Sequence, residues 1–110
     1  MTENEEQSSM IDTLSQNIEK IASLCVEHDV QSMYVFGSAA TGDFGDHSDF
    51  DFVVSFKDIS IAKYTDNYFS LHQKLEELLG RKIDLVTDRS LSNPYFIESV
   101  LETRQLLYAA

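Results

Sequence analysis

Three acids and one Gly-Ser pair carry the chemistry that this sequence can do. Asp49 and Asp51 stand two residues apart in Asp49-Phe50-Asp51-Phe52. On a strand that spacing puts both carboxylates on one face, roughly 6.5–7 Å apart at the backbone, so their side chains can converge on one cation. Carboxylates turned the same way repel each other. A hard divalent cation, Mg²⁺ or Mn²⁺, removes that cost in a site built of oxygens. Asp84 is an outward acid between the core residues Ile83 and Leu85. On a neighbouring strand it would complete a two-metal site, which stabilises the attacking and leaving oxygens of an in-line phosphoryl displacement. Upstream, Gly37-Ser38 ends an apolar run. Glycine there lets backbone approach a phosphate, Ser38 adds a hydroxyl, and free N–H groups at the start of a helical turn attract an anion. Gly42 and Gly45 keep the loop after it open.

The elements that must hold these residues follow from periodicity. Ile11, Leu14, Ile18, Ile21 and Cys25 recur at helical spacing, which predicts a helix from about Met10 to His28 with Ser9 as its cap. Ser32 to Phe36 is a β-prone run. Asp49 to Phe56 alternates, with Phe50, Phe52, Val54 and Phe56 facing one way and Asp49, Asp51 and Val53 the other. After an irregular connection from Lys57 to Thr65, Tyr68, Leu71, Leu75, Leu78 and Leu79 mark a helix that stops at Gly80. Lys82 to Thr87 reads as a third strand. Asn93-Pro94 opens a helix to about Thr103, and Gln105 to Tyr108 suits either a last strand or the end of that helix. The order predicts an α/β (α+β) fold: a small mixed three- to four-stranded sheet, with helices mainly on one face and the acids on the other. Residues 1–9 read as a disordered acidic tail, and 10–110 as one folded domain.

Composition narrows the function. The chain of 110 residues has 19 acidic and 8 basic side chains, a formal charge of −11, and no basic run longer than Arg81-Lys82. That argues against a nucleic-acid backbone as its main ligand, and a chain so charged needs cations to handle a nucleotide. Cys25, the single cysteine, falls on an apolar helix face and reads as a buried thiol. The acidic start lacks a basic signal-peptide region, and no apolar run approaches a membrane span, so the expected location is cytoplasmic. His47 reads as a surface loop residue, His28 and His72 lack partners at metal spacing, and Tyr34, Tyr68 and Tyr95 read as core or half-buried packing.

Phe36-Gly37-Ser38, Asp49-Phe50-Asp51-Phe52 and Ile83-Asp84-Leu85 closely resemble the motifs of the DNA polymerase β-like nucleotidyltransferase superfamily. The resemblance runs from Ile11 to Tyr108. The short length and the ending Asn93-Pro94-Tyr95-Phe96 through Leu107-Tyr108 resemble the minimal nucleotidyltransferase (MNT) branch, in particular the antitoxin of HEPN/MNT toxin–antitoxin pairs. The resemblance implies a nucleotidyltransferase fold and an activity of the EC 2.7.7 type. Gly37 and Ser38 would hold the triphosphate, Asp49 and Asp51 would bind both Mg²⁺ ions, and Asp84 would join the ion that activates the acceptor hydroxyl. It further implies ATP as AMP donor, a protein hydroxyl as acceptor, and a small helical HEPN ribonuclease as partner in a hetero-oligomer. One departure stands out: Thr41 occupies the place where many relatives carry an arginine, which weakens the phosphate grip and the expected activity.

Three functions from different classes fit these residues: a transferase acting on a partner protein, an antitoxin that neutralises by contact, and a transferase for small molecules of the antibiotic-modifying kind. A neighbouring reading frame for a short helical protein with Arg-x4–6-His would favour the first two.

Overall fold

A computed structural model describes residues 13–37, 40 and 49–110. The expected acidic tail over residues 1–9, the start of the first helix, Ser38, Thr41, Gly42, Gly45 and His47 lie outside the described residues.

The elements run in the order α1 (Ile18–Glu27), β1 (Val30–Phe36), β2 (Phe50–Phe56), α2 (Ile61–Leu79), β3 (Ile83–Thr87), a 3-10 turn (Asp88–Ser90), α3 (Pro94–Thr103) and β4 (Gln105–Ala109). Residues 13–16 are also helical, and a turn at Asn17 separates them from α1. The four strands form one sheet in the order β3-β2-β1-β4. β1 pairs antiparallel with both β2 and β4, and β2 pairs parallel with β3. The mixed sheet expected from the sequence is therefore present with four strands.

Period-two alternation in β2 divides the sheet into two faces. Phe50, Phe52 and Val54 are fully buried, and the rings of Phe50 and Phe52 lie 5.8 Å apart between centroids. They join Ile21 and Cys25 of α1, Met33 and Val35 of β1, Leu71 and Leu75 of α2, and Ile83 and Leu85 of β3 in the main core. Burying one such phenylalanine contributes about 1.5–3 kcal/mol. Burial also pushes the Cys25 thiol up to about 12, which leaves it protonated and inert.

The opposite face is not bare. Phe36, Val53 and Val100 form a smaller cluster joined by Tyr34, Val86 and Leu91, so α3 covers part of the face that carries Asp51 and Asp84. Of these three helices, α1 and α2 lie on one side of the sheet and α3 on the other.

The capping residues explain the helix limits. Ser60 accepts from the Lys63 N–H at 3.2 Å, and α2 begins at Ile61, earlier than periodicity alone suggests. Gly80 ends α2 in the left-handed region, at φ 67°. The side chain of Asn93 accepts from the N–H groups of Tyr95 and Phe96, with Pro94 in the first turn, as the sequence predicts. Residues 105–109 pair with β1 as a strand, which settles the choice that the sequence left open. Ile18 and Tyr95 are more exposed than expected: Tyr95 is 84% exposed on the outer side of α3.

Candidate active site

Asp51 lies in β2 between the buried Phe50 and Phe52, so the core anchors its strand from behind while its carboxylate faces the other side. Asp84 has the same place in β3, between buried Ile83 and Leu85. The parallel register makes Asp51 and Asp84 direct partners, and Asp51 is also the partner of Phe36 at the end of β1. Gly37 follows at φ +74°, and a Cβ built on it would sit 2.7 Å from Asp51 Oδ2. Two independent requirements thus converge on glycine: the left-handed backbone and the approach to a carboxylate. The Gly37 N–H donates to Thr103 Oγ1 at 3.0 Å, and Thr103 Oγ1 in turn donates to the Ser99 carbonyl at 2.9 Å. The last turn of α3 therefore fixes the strand end from which Ser38 departs. At the same edge Gln105 Nε2 donates to the Ala40 carbonyl at 2.7 Å.

The electrostatics are those of a crowded anion site. Burial pushes the Asp51 carboxyl up to about 6, and the Asp84 charge, a hydrogen bond with Asp84 and the Asp49 charge push the same way. Asp49 is half-buried immediately before β2, and Asp84 is exposed. The donor set is all oxygen, which fits a hard divalent cation. Among the described residues no three acidic, histidine or cysteine side chains are gathered closely enough to hold a metal ion. The structure brings Asp51 and Asp84 together, and Asp49 acts on Asp51 through its charge.

A cleft of about 270 Å³ opens on the same sheet face, lined by Tyr34, Val53, Ser55, Leu91, Val100 and Arg104 among others. The three acids do not line it. The Arg104 guanidinium lies 4.5 Å from the centre of the Tyr34 ring. Sequence reasoning missed Thr103, which reaches the site's edge at Gly37 because α3 ends there, and Arg104, which lines the cleft. The two histidines that lack partners at metal spacing make structural contacts: His28 is buried, 2.7 Å from the Leu24 carbonyl through Nδ1 and 2.9 Å from Ser70 Oγ through Nε2, and His72 meets the edge of β3. Arg81 lies over the Phe50 ring at 5.6 Å. No helix among the described residues is long and apolar enough to cross a membrane.

Comparison with known proteins yields one consistent set of matches. The family model described as polymerase beta, nucleotidyltransferase matches residues 19–110. A Methanocaldococcus jannaschii protein, provisionally named a protein adenylyltransferase, is 37% identical over 76 residues, 69% of this chain and 75% of that protein. The protein adenylyltransferase MntA of Thermococcus cleftensis is 38% identical over 65 residues, 58% of this chain and 62% of that protein. A solved structure provisionally described as a minimal nucleotidyltransferase superposes with a TM-score of 0.73 at 34% identity, covering 86% of this chain and 92% of the other. A tri-AMPylated Shewanella oneidensis HEPN toxin in complex with MNT antitoxin matches with a TM-score of 0.60 at 26% identity, covering 87% of this chain and 72% of the matched one. A toxin–antitoxin with AMP-PNP matches with a TM-score of 0.67 at 29% identity, covering 86% and 74%.

Proposed function

The chain belongs to the polymerase beta nucleotidyltransferase family, and on that premise we propose that it transfers AMP from ATP to a hydroxyl of a helical HEPN-type partner, as the antitoxin of the pair. The observation that carries this reading is the register of Asp51 with Asp84 across β2 and β3, beside the left-handed Gly37. The complexes of relatives with a HEPN toxin and with AMP-PNP support the choice of partner and donor.

Gly37 and Ser38 take the triphosphate. Glycine keeps the backbone clear of side chain, and Ser38 offers its hydroxyl. Asp49, Asp51 and Asp84 would hold Mg²⁺, with Asp51 and Asp84 already adjacent across β2 and β3. When bound, the metal neutralises the carboxylates and stabilises charge on the attacking and leaving oxygens. The half-buried Asp51 has little freedom to move, whereas Asp84 is open to solvent and faces the side from which an acceptor can enter. In the reaction the acceptor oxygen bonds to the α-phosphorus. The bond from that phosphorus to the α–β bridging oxygen breaks, pyrophosphate leaves, and the hydroxyl proton passes to Asp84 or to water. Much of the rate of such a transfer comes from holding the acceptor in line, which a docked partner does for an open site.

A second reading, neutralisation by contact alone, is kept open by Thr41, which stands where many relatives carry arginine. Co-expression with the partner distinguishes the two. Mass spectrometry is expected to find AMP on the partner, absent with Asp49→Asn/Asp51→Asn. A stable complex that carries no AMP in either case refutes the transferase and leaves the contact antitoxin. Absence of any complex leaves the small-molecule transferase.

A further inference from the structure

β3 is an edge strand of five residues, yet it carries the acid on the open side of the site. Its inner side pairs with β2. Successive residues of a strand turn their N–H and C=O groups to alternate sides, and on either side of Asp84 the N–H and C=O of Ile83 and the C=O of Leu85 are met by side chains from α2. Tyr68 Oη donates to the Leu85 carbonyl at 2.6 Å. His72 Nε2 lies 3.2 Å from the Ile83 carbonyl and donates to it in the Nε2–H tautomer. Glu76 Oε2 accepts from the Ile83 N–H at 3.2 Å. The three residues fall at i, i+4 and i+8, one stripe of a helix. They also support each other. The Tyr68 and His72 rings stack at 6.4 Å with an interplanar angle of 27°, and His72 Nε2 lies 3.9 Å from Glu76 Oε2.

We propose that Tyr68, His72 and Glu76 are positioning residues for Asp84, three side chains of α2 that stand in for a fifth strand along the outer edge of β3. The proposal rests on the reading of Asp84 as a metal-holding acid. Its physical basis is register. A slip of one residue in a strand turns every side chain to the other face, so Asp84 would enter the core and Ile83 would leave it. A short edge strand paired on one side frays readily. Polar contacts to the residues immediately before and after Asp84 hold the segment from the side that β2 cannot reach. An apolar helix face would cover the same edge without fixing its register.

The test uses the full chain and Mn²⁺ alone as probe, followed by electron paramagnetic resonance, at a temperature where circular dichroism shows each variant folded. Tyr68→Phe/His72→Leu is expected to weaken Mn²⁺ binding about 10-fold or more, the usual cost of losing groups that orient a metal ligand. Tyr68→Phe/His72→Gln, which restores a donor to the Ile83 carbonyl, is expected to recover most of that loss. Tyr68→Phe alone keeps the ring and serves if the double variant does not fold. It is expected to weaken binding in the same direction, and wild-type affinity in it overturns the proposal. Unchanged affinity in Tyr68→Phe/His72→Leu with a lower melting temperature shows a purely structural contact and also overturns it, as does a loss that glutamine does not reverse. Asp84→Asn separates the premise from the proposal. If Asp84→Asn binds Mn²⁺ like wild type, the metal-site reading itself fails. If it loses binding while the α2 variants keep it, only the positioning role fails.

Discussion

Replacing Asp51 with asparagine is expected to stabilise the metal-free protein while removing its response to metal. Burial and two neighbouring carboxylates push the Asp51 carboxyl from 3.8 up to about 6. A carboxyl whose folded pKa lies above its unfolded one favours the folded state while it is protonated. That contribution is present below about pH 4 and is lost as pH rises through about 6. Two units would correspond to roughly 3 kcal/mol. Because Asp51 is only half-buried, solvent screening reduces this to about 1–2 kcal/mol. The asparagine side chain resembles the protonated acid and does not titrate, so wild type and Asp51→Asn should be about equally stable near pH 4 in chelator. Above pH 7 the variant should melt roughly 5–10 °C higher. Adding Mg²⁺ should raise the midpoint of the wild type and leave the variant unchanged, since only the intact site gains from ligand linkage. Thermal melts by circular dichroism from pH 4 to 8, with and without Mg²⁺, read both effects. A variant less stable than wild type at pH 7.5 in chelator, or one that Mg²⁺ stabilises equally, refutes this account of the acid cluster.

Other perturbations follow from single contacts. Gly37→Ala forces an L side chain into φ +74° and a Cβ against Asp51 Oδ2. It should cost about 1–2 kcal/mol in urea denaturation and weaken Mn²⁺ binding, because the carboxylate has to move. Ser38→Ala should weaken AMP-PNP binding by about 1–2 kcal/mol, measured by calorimetry, and Thr41→Arg should strengthen it. No change with Thr41→Arg in a chain shown to be active means the missing arginine is no handicap. Asn93→Ala removes the acceptor for two N–H groups of α3 and should lower stability by about 1 kcal/mol without changing metal affinity.

Local rules were sufficient for much of this molecule. The alternation from Phe50 to Phe56 can be satisfied only with the phenylalanines on one side and Asp51 on the other, so the outward face of the acid is a consequence of period two. Asn93-Pro94 and Gly80 mark helix ends because their preferences act within a few residues. Asp84 between Ile83 and Leu85 is readable as one outward acid for the same reason. Ser60 as the cap of α2 is equally local, but the apolar stripe read from the sequence begins later, at Tyr68.

What the sequence left undecided depends on chain segments far apart. No local pattern states that Asp84 sits opposite Asp51, because the register of a parallel pair is set by how α2 packs both strands onto one core. The end of the chain forms β4, because residues 105–109 find an open edge of β1 beside them, and that edge exists only in the folded sheet. The same holds for α3. Its Val100 covers part of the acid-bearing face, and its Thr103 holds Gly37, 66 positions away in the sequence. The raised pKa of Asp51 has the same origin: two of its causes, the charge of Asp84 and the hydrogen bond to it, come from a residue on another strand. Short-range sterics and hydrophobic period therefore determined which residues face outward. Tertiary packing decided which of them meet.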